Sequence, residues 1–507
     1  MQRLEHRLPF ATTVSSPDLP SPEVHAALSR ASAWIERYLQ DPGTYPVLSL
    51  VEPGDITRRL PAVPPNDGEP LDQILDDFER VLLPGVTHWN HPGFFAYFAN
   101  SAPAAGVLGE MLTAALNVNA MLWKTSPAAT ELEERALDWL RQMLGLGPGW
   151  FGIINDTAST TTLLALAAAR EARADLQIRQ RGLAGRPELP VLRMYLSEQA
   201  NLSVDKAIIT LGIGVENCVH IPVDQAYRMR VDALEAAIAA DRAAGRLPLA
   251  VVATAGTTGT GSVDPIPAIA GVCERERIWL HVDAAYAGSA AVVPEHRSVL
   301  DGVERADSLV VNPHKWLFTP MDLSAMYTRR PDVLKRAFSL VPEYVETAKR
   351  DEVVNMMDYG VALGRRFRAL KLWMVIRAFG VNGIVDRLRA HIALANEFAM
   401  WVENDPDWVL AAPQMFSLVC FRYAPPGLAP ADADAVNQRI LDRVNASGRA
   451  YLSHTRVDGR FVLRLAIGNL RTERSHVAGA WSLLQAAARE GGTEPALVAD
   501  QRGAMPD

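Results

Sequence analysis

The sequence predicts an α/β protein with a mostly parallel β-sheet in a large domain and a small C-terminal α+β domain. Apolar, strand-like runs alternate with helical patterns from about residue 150 to residue 315, which is typical of a mostly parallel sheet. Further along, strands are predicted near 416–423 and 461–467, and helices near 432–446 and 472–490. The first pattern indicates the large domain, and the second indicates a separate, smaller one.

The chain is too long for one simple hydrophobic core. It has 507 residues, of which 49% are hydrophobic, as expected of a globular protein with more than one lobe. We expect a helical N-terminal segment at 1–85, the large domain at 86–380, the small domain at 381–490 and a disordered tail at 491–507. In the first segment, helices are predicted at 21–39 and 71–83. This segment has too little apolar surface to fold alone.

Charge and cysteine content exclude several classes of partner. The net charge is −8 without a basic block, so the sequence predicts neither nucleic-acid nor membrane binding. Cys218, Cys273 and Cys420 lack the spacing of a metal site, so we predict buried thiols and no metal. The first ten residues lack the core of a signal peptide, and no apolar run could span a bilayer. We therefore expect a soluble, cytoplasmic protein.

One short stretch, residues 307–316, suggests chemistry. Its apolar, β-branched run ends at Asn312, and a proline follows, which cannot continue a central strand. Lys315 comes next, between His314 and a tryptophan. A lysine packed in such surroundings loses its proton more easily and can attack an aldehyde. A lone lysine at a strand end is nevertheless more often a surface residue whose stem lies along apolar groups.

A second stretch, residues 279–288, strengthens the functional interpretation. It is another apolar strand, and it ends in Asp283 followed by small residues. A pyridoxal phosphate (PLP) site needs a lysine to hold the aldehyde carbon and an aspartate to keep the pyridine nitrogen protonated. Lys315 and Asp283 at neighbouring strand ends fit those two roles.

Together these stretches resemble the group II PLP-dependent decarboxylases, and most closely the aromatic L-amino-acid decarboxylases. The matching motifs are His-Val-Asp-Ala-Ala-Tyr-Ala-Gly at 281–288 and Asn-Pro-His-Lys-Trp at 312–316. The resemblance runs from about residue 20 to about 488. It implies PLP fold type I (aspartate aminotransferase-like) and an obligate homodimer whose active site lies at the interface, with the N-terminal segment packed over the partner subunit. The cofactor-binding residues that it implies in these motifs are Asp283, Ala285, Asn312, His314 and Lys315.

The stretch 152–161 is predicted to bind the cofactor phosphate. A strand, a small polar turn and a helix, predicted at 162–179, present free backbone N–H groups to an anion. An ordinary Ser/Thr cap explains the pattern equally well. The resemblance places the phosphate at Ala158 and Ser159. Asp156 stands where the family commonly has glycine, and its carboxylate would repel a phosphate unless turned away.

Asn201 is the departure from the family pattern that bears most on the product. The family usually has a histidine here, which stacks on the pyridine ring; asparagine can hydrogen-bond but cannot titrate near neutral pH. The same replacement marks insect members that release aldehydes, although a neutral variant is the simpler explanation. The glycine-rich stretch 256–261 is weak evidence alone, and the resemblance places its Thr258 beside the cofactor.

The resemblance assigns the substrate pocket to a cluster of aromatic residues and histidines at 87–98. Without it, the cluster would be taken for core packing. At Ala99 and Asn100 the family usually has proline and threonine. Around Asn119 and Met121, which the resemblance implies are contributed by the other subunit, the family often has isoleucine and phenylalanine. The pocket is thus expected to be more polar than usual. The implied substrate-binding residues are Trp89, Tyr97, Phe98, Asn119 and Met121.

Two further segments follow the strand that precedes Lys315. The charged, proline-interrupted run 329–358 is typical of a lid. Tyr344 within it matches a family tyrosine that delivers a proton to the substrate carbon, although a surface tyrosine is the alternative. Helices are predicted at 363–379 and 381–403. The arginines at 365–368 could form a solvated face or bind a substrate carboxylate.

The resemblance thus predicts PLP-dependent decarboxylation of an aromatic L-amino acid to its amine. The alternative is an aromatic acetaldehyde synthase, which couples decarboxylation to oxidative deamination. Asn201 favours the alternative, and Tyr344 opposes it because plant aldehyde synthases typically lack that tyrosine. A non-catalytic family member and an aminotransferase are two further alternatives. The predicted catalytic residues are Asn201, His314, Lys315 and Tyr344.

Overall fold

The computed structural model describes residues 19–340 and 353–491, and the chain divides into the units Met1–His88 and Trp89–Asp507. The first unit contains helices α1 (Ser21–Gln40), α2 (Asp55–Arg59) and α3 (Leu71–Asp77). Arg30 of α1 pairs with Asp76 of α3 at 2.6 Å and with Glu79 at 3.0 Å. These contacts hold together the two helices that the sequence predicts. The predicted domain boundaries at 85, 380 and 490 stay predictions.

The large sheet of the second unit contains the strands that carry the two sequence motifs. Within the described chain its strands are β1 (Phe151–Asn155), β2 (Leu192–Ser197), β3 (Cys218–Ile221), β4 (Leu247–Thr254), β5 (Trp279–Asp283), β6 (Ser308–Val311) and β7 (Ser324–Thr328).

These seven strands lie in the order β1-β7-β6-β5-β4-β2-β3. Only β7 pairs antiparallel with its neighbours, β1 and β6, and the other pairs are parallel. Every residue of β5 and β6 is buried, as expected of central strands covered on both faces. Along β2, Met194 and Leu196 enter one hydrophobic cluster and Tyr195 enters the other. The mostly parallel sheet predicted from the sequence is confirmed.

Helices cover both faces of this sheet and continue beyond it. Those of the second unit are α4 (Ala104–Leu116), α5 (Pro127–Met143), α6 (Ala158–Glu171), α7 (Ile178–Arg181), α8 (Leu202–Thr210), α9 (Val231–Ala243), α10 (Ile266–Glu276), α11 (Pro313–Trp316), α12 (Pro331–Phe338), α13 (Ala369–Asn404), α14 (Pro430–Ala446) and α15 (Arg474–Gly491). Among the described residues, none of these helices is both long and apolar enough to cross a lipid bilayer.

The predicted bounds of two helices were wrong, and α6 also ends at Glu171 rather than near 179. Helix α6 starts at Ala158, four residues before the predicted start, because Thr157 has an extended backbone and the small residues after it are already helical. Helix α13 starts at Ala369 rather than 363, because the backbone N–H and C=O of Arg365 bond to Asn119 Oδ1 and to the N–H of Ala120 instead. The predicted break between two helices is confirmed at Gly380, which has a φ of 63°.

The small α+β domain has its own antiparallel sheet, with helices α14 and α15 packed beside it. Its strands are β8 (Trp408–Leu410), β9 (Leu418–Tyr423), β10 (Ser453–Val457) and β11 (Arg460–Ala466), in the order β10-β11-β9-β8. The sequence predicts β9 and β11 but misses β8 and β10. Strand β8 is apolar but has only three residues, too few to predict a strand, and β10 is made largely of polar residues.

Candidate active site

A cavity of about 230 Å³ lies at the carboxyl ends of the parallel strands, where ligands bind in open α/β sheets. It brings together ten of the residues predicted to hold cofactor or substrate, which come from five strand ends and from the 87–98 cluster. Its lining residues are Phe98, Thr157, Ala158, Ser159, Asn201, Ser203, Thr254, Gly256, Thr258, Asp283, Ala285, Tyr286, Asn312, His314 and Lys315.

Asp283 and Lys315 form the charged pair of this cavity. Asp283 ends β5, and its Oδ1 accepts a hydrogen bond from the backbone N–H of Ala285 at 3.0 Å, which fixes the carboxylate. Burial raises the pKa of Asp283, an effect that Lys315 partly offsets. Burial likewise lowers the pKa of the Lys315 amine, and Asp283 opposes that change. A lowered amine pKa increases the neutral, nucleophilic fraction of Lys315.

A stack of aromatic rings forms one wall beside the lysine. The rings of Phe98 and Tyr286 are parallel with centroids 3.8 Å apart, and Tyr286 stacks in turn on Trp316 at 5.2 Å. Lys315 Nζ and Arg464 Cζ each lie 5.4 Å from the centroid of Phe98. Arg464 could not be predicted from the sequence, since it lies in a strand of the small domain without a motif. Tyr286 could have been found, because it lies within the 281–288 motif.

His314 is held as a neutral imidazole with a defined tautomer. Its Nδ1 accepts a hydrogen bond from the backbone N–H of Leu323 at 2.9 Å, so the ring proton of the neutral form lies on Nε2. Burial, assisted by the positive charge of Lys315, lowers the pKa of His314 to about 3. At neutral pH the side chain therefore offers the cavity a neutral N–H donor.

Asn201 is fixed by two hydrogen bonds. Its Oδ1 caps α8 by accepting from the backbone N–H of Ser203 at 2.9 Å, and its Nδ2 donates to Thr258 Oγ1 at 2.9 Å. Asparagine is among the residues most favoured at a helix N-cap. The predicted pair Asn201 and Thr258 thus lies in the cavity as one hydrogen-bonded unit.

The N-terminus of α6 faces the cavity through Ala158 and Ser159. No side chain caps this helix, so its first N–H groups and its positive dipole end are available to an anion. Asp156 Oδ1 accepts a hydrogen bond from the backbone N–H of Thr157 at 2.6 Å, which ties that carboxylate to the turn.

The cavity also contains polar atoms that lack a partner within the described chain. Thr254 Oγ1 and Asn312 Oδ1 are buried there without a hydrogen bond. Such atoms are costly unless a ligand satisfies them. The uncapped helix end, the carboxylate of Asp283, the amine of Lys315 and these two oxygens together fit a ligand that combines phosphate, ring nitrogen, aldehyde and hydroxyl groups. PLP has all four.

Four predicted substrate residues do not line the cavity within the described part of the chain. Trp89 and Tyr97 lie side by side with ring centroids 5.9 Å apart, and Tyr97 is half exposed. Asn119 and Met121 meet each other at 3.3 Å, between Asn119 Nδ2 and the Met121 sulfur. The assignment of Asn119 and Met121 to the other subunit's site stays a prediction. Tyr344 lies outside the described residues.

Each arginine of the cluster at 365–368 is paired with a carboxylate of the protein, although Arg366 remains half exposed. Arg365 is buried, and its Nη2 contacts Glu133 Oε1 at 2.7 Å. Arg366 pairs with Glu110. Arg368 contacts both oxygens of Asp322, at 2.8 and 3.2 Å. The cluster therefore forms ion pairs with carboxylates of the protein itself.

Comparison with known proteins agrees with this geometry. Residues 53–424 match the pyridoxal-dependent decarboxylase conserved domain. The chain is 41% identical to phenylacetaldehyde synthase of Arabidopsis thaliana (89% of this chain, 93% of the relative) and 42% identical to tyrosine decarboxylase 2 of the same plant (88% and 83%). The crystal structure of Oryza sativa TDC with PLP and tryptamine superimposes with a TM-score of 0.89 at 38% identity, covering 94% of this chain and 99% of the other.

These matches span most of the chain, and they agree with the type I architecture and with a cavity suited to PLP. The chain therefore belongs to the pyridoxal-dependent decarboxylases, and it is a PLP-dependent carboxy-lyase.

Proposed function

We propose that this enzyme decarboxylates an aromatic L-amino acid to its amine and CO₂. The observation that supports this most strongly is the single cavity that joins Asp283, Lys315 and the aromatic wall of Phe98. The relatives support the aromatic class, since their names specify tyrosine and phenylacetaldehyde, and the similar crystal structure contains tryptamine. Aromatic side chains gain roughly 0.5–1.5 kcal/mol from each ring-on-ring contact beyond area burial.

The residues of the cavity are proposed to have separate roles. Bound PLP supplies an electron sink for the charge that develops at the α-carbon when CO₂ leaves. Lys315 would hold the aldehyde carbon, and its lowered pKa supplies the neutral amine that this needs. The Asp283 carboxylate would hold a proton on the ring nitrogen. The N–H groups at Ala158 and Ser159 would bind the phosphate.

His314 and Tyr344 are proposed to act on the substrate. A histidine with a pKa of about 3 is unprotonated at neutral pH, so we assign His314 the donation of an Nε2–H hydrogen bond in the cavity. Tyr344 is proposed, on the resemblance alone, to return a proton to the α-carbon. If that transfer is fast, the amine is the product.

The second candidate is an aromatic acetaldehyde synthase, and the specific observation that favours it is Asn201. The neutral amide at this position cannot exchange a proton near neutral pH. Slower protonation of the α-carbon would leave time for attack by O₂. The amino acid, O₂ and water would then give the aldehyde, CO₂, ammonia and hydrogen peroxide.

A product assay separates the two candidates. Phenylalanine, tyrosine, dopa and tryptophan are supplied to the PLP-loaded enzyme, and CO₂, amine, aldehyde, O₂ uptake and peroxide are measured. The decarboxylase gives one amine per CO₂ without O₂ uptake, whereas the synthase gives one aldehyde and one peroxide per CO₂. The variant Lys315→Arg, which keeps the charge, is the matched control and should form neither product. A lack of turnover with all four aromatic substrates, together with CO₂ release from a non-aromatic amino acid, would contradict the proposed substrate class.

We also propose a homodimer with the active site at the interface. Helix α4 supports this proposal. Its inner face packs closely against the chain at Gly109, where an added Cβ would lie 2.7 Å from Lys371 Cα. Its outer face is apolar. Leu108, Leu112 and Leu116 on that outer face are 50, 50 and 59% exposed. A row of exposed leucines is typical of a protein interface.

A cytoplasmic location is proposed as well. Cys218, Cys273 and Cys420 are all free thiols in the structure, as expected in a reducing compartment. Cell fractionation with an antibody against the protein would test this, and recovery in an oxidising compartment would contradict it.

A further inference from the structure

A cluster of three potential metal ligands lies outside the PLP cavity. Asp205, Cys218 and His220 bring one carboxylate oxygen, one sulfur and one ring nitrogen within 4.8 Å of one another. The spacing of the cysteines in the sequence predicts no metal site. The cluster becomes visible only in the fold, because Asp205 comes from a different element.

The local fold explains why these side chains converge. Cys218 and His220 are two residues apart on β3, the edge strand of the large sheet, so both side chains point to the same face. Asp205 lies in the first turn of α8. Cys218 and Asp205 are largely buried, whereas 45% of the His220 side chain is exposed, which leaves a path for an ion from solvent.

The distances fit tetrahedral coordination. Cys218 Sγ is 3.3 Å from Asp205 Oδ1 and 4.0 Å from His220 Nε2, and the last two atoms are 3.1 Å apart. Zinc bonds of about 2.3 Å to sulfur and about 2.0–2.2 Å to nitrogen and oxygen, at tetrahedral angles, give ligand separations of about 3.3–3.6 Å. The three atoms need to move by only a few tenths of an ångström to share one ion.

We propose that Asp205, Cys218 and His220 form a site for a thiophilic divalent cation, with Zn²⁺ as the best fit. The Cys218 thiol gives its proton to solvent when its sulfur binds the ion. The thiolate and the carboxylate then balance the two positive charges, while neutral His220 binds through Nε2. Water completes the fourth position on the exposed side. A thiolate ligand selects Zn²⁺ and Co²⁺ over Mg²⁺ and Ca²⁺, which prefer oxygen.

The test measures metal binding by the intact, PLP-loaded enzyme without an affinity tag. The protein is stripped with a chelator, titrated with Co²⁺ and with Zn²⁺ in separate samples, and dialysed before its metal content is measured. We expect one ion per chain, and with Co²⁺ we expect the visible bands of a tetrahedral cobalt thiolate. Mg²⁺ in the same protocol should not be retained.

Three variants locate the site. His220→Ala removes a half-exposed ligand and should leave the fold intact, while Cys218→Ser replaces the sulfur. Each should weaken binding by at least about 10–100-fold, the loss typical of removing even an outer-shell partner. Cys273→Ser is the matched control, because it makes the same change at a buried cysteine of α10, and it should retain one ion. PLP content, measured in parallel, should be the same in all of them.

The proposal is overturned if the wild-type protein retains no ion after dialysis. It is equally overturned if His220→Ala and Cys218→Ser bind the ion as tightly as the wild type, since the metal would then lie elsewhere. In either case the cluster is an Asp205–His220 contact beside a buried thiol.

Discussion

Asn201 has two structural roles at once, as a cap of α8 and as a neighbour of the cofactor cavity. Its Oδ1 accepts the N–H of Ser203, and its Nδ2 reaches Thr258. The resemblance to the family identified the position and its departure from histidine. The capping bond was not foreseen, because it depends on α8 starting at Leu202.

Replacement of Asn201 by histidine should shift the products toward amine, because an imidazole can exchange a proton near the substrate carbon. It should also cost about 1 kcal/mol of stability, since the N-cap acceptor is lost. The measurements are the amine-to-aldehyde ratio and the thermal unfolding of the PLP-loaded protein. Asn201→Asp is the control, because it keeps a capping oxygen without adding an imidazole. An unchanged product ratio in Asn201→His would remove Asn201 as the determinant of the product.

Arg464 and Tyr286 show what sequence patterns miss at the scale of single residues. Arg464 is buried, donates to the carbonyl of Gly259 through Nε at 3.1 Å and packs on Phe98. It contacts Phe98, which lines the cavity, only because β11 of the small domain lies beside that ring. The predicted residues that line the cavity lie within continuous motifs, whereas Arg464 depends on packing between distant segments.

At the scale of elements, the uncapped N-terminus of α6 is the feature that fits a phosphate. The sequence predicted the strand–turn–helix arrangement but started the helix four residues too late. The error arose because Ala-Ser-Thr-Thr suits a turn and a helix equally well. Only the extended backbone of Thr157 places Ala158 and Ser159 at the helix start.

Ser159→Asp should weaken PLP binding by tenfold or more. Two like charges about 4 Å apart repel by about 4 kcal/mol at an effective dielectric of 20, and the phosphate carries more than one charge. An aspartate in the first turn does not destabilise the helix itself. The dissociation constant is measured by equilibrium dialysis, with Ser159→Asn as the uncharged control. Equal affinity of the two variants would place the phosphate away from α6.

At the scale of the whole molecule, the sequence predicted the layered architecture well, because buried parallel strands have a strong apolar signature. It could not predict how the arginines at 365–368 are used. Their pattern on a helix indicated a surface or a ligand site, but they precede α13 and pair with Glu133, Glu110 and Asp322, whose positions depend on the tertiary fold.

Leu112→Glu should convert the proposed dimer to monomers, because it buries a charge at the centre of the apolar face of α4. Sedimentation velocity at micromolar concentration measures the change. Val215→Glu is the control, since Val215 is 58% exposed outside that face, and it should remain dimeric. A wild-type protein that sediments as a monomer, or a Leu112→Glu variant that stays dimeric, would contradict the proposed interface.

Stability should fall as the pH drops below about 6.5. Burial lowers the pKa of His281 to about 3, so between pH 6.5 and 3 the unfolded chain binds a proton that the folded chain does not. The stability is complete above the unfolded pKa of 6.5 and is lost as the pH falls toward 3. His314 and His391, with pKa values of about 3 and 4, act in the same direction.

The variant His281→Leu measures one part of this effect. Between pH 7 and pH 5 the free energy of unfolding should decrease in both proteins, and the decrease should be about 2 kcal/mol smaller in the variant. The reason is that the variant has one fewer buried imidazole that is neutral in the folded state and protonated in the unfolded state. Denaturant unfolding at the two pH values gives the difference. An identical pH dependence for both proteins would show that His281 is protonated alike in the folded and unfolded states.

The central claim is that Lys315 holds PLP opposite Asp283, and reduction with borohydride tests it most directly. The purified yellow protein is reduced, digested and mapped by mass spectrometry. The account predicts that the pyridoxyl group lies on the peptide containing Lys315, and that the visible absorption band disappears on reduction. Recovery of the label on another lysine, such as the buried Lys371 that pairs with Glu110 at 2.5 Å, would contradict it.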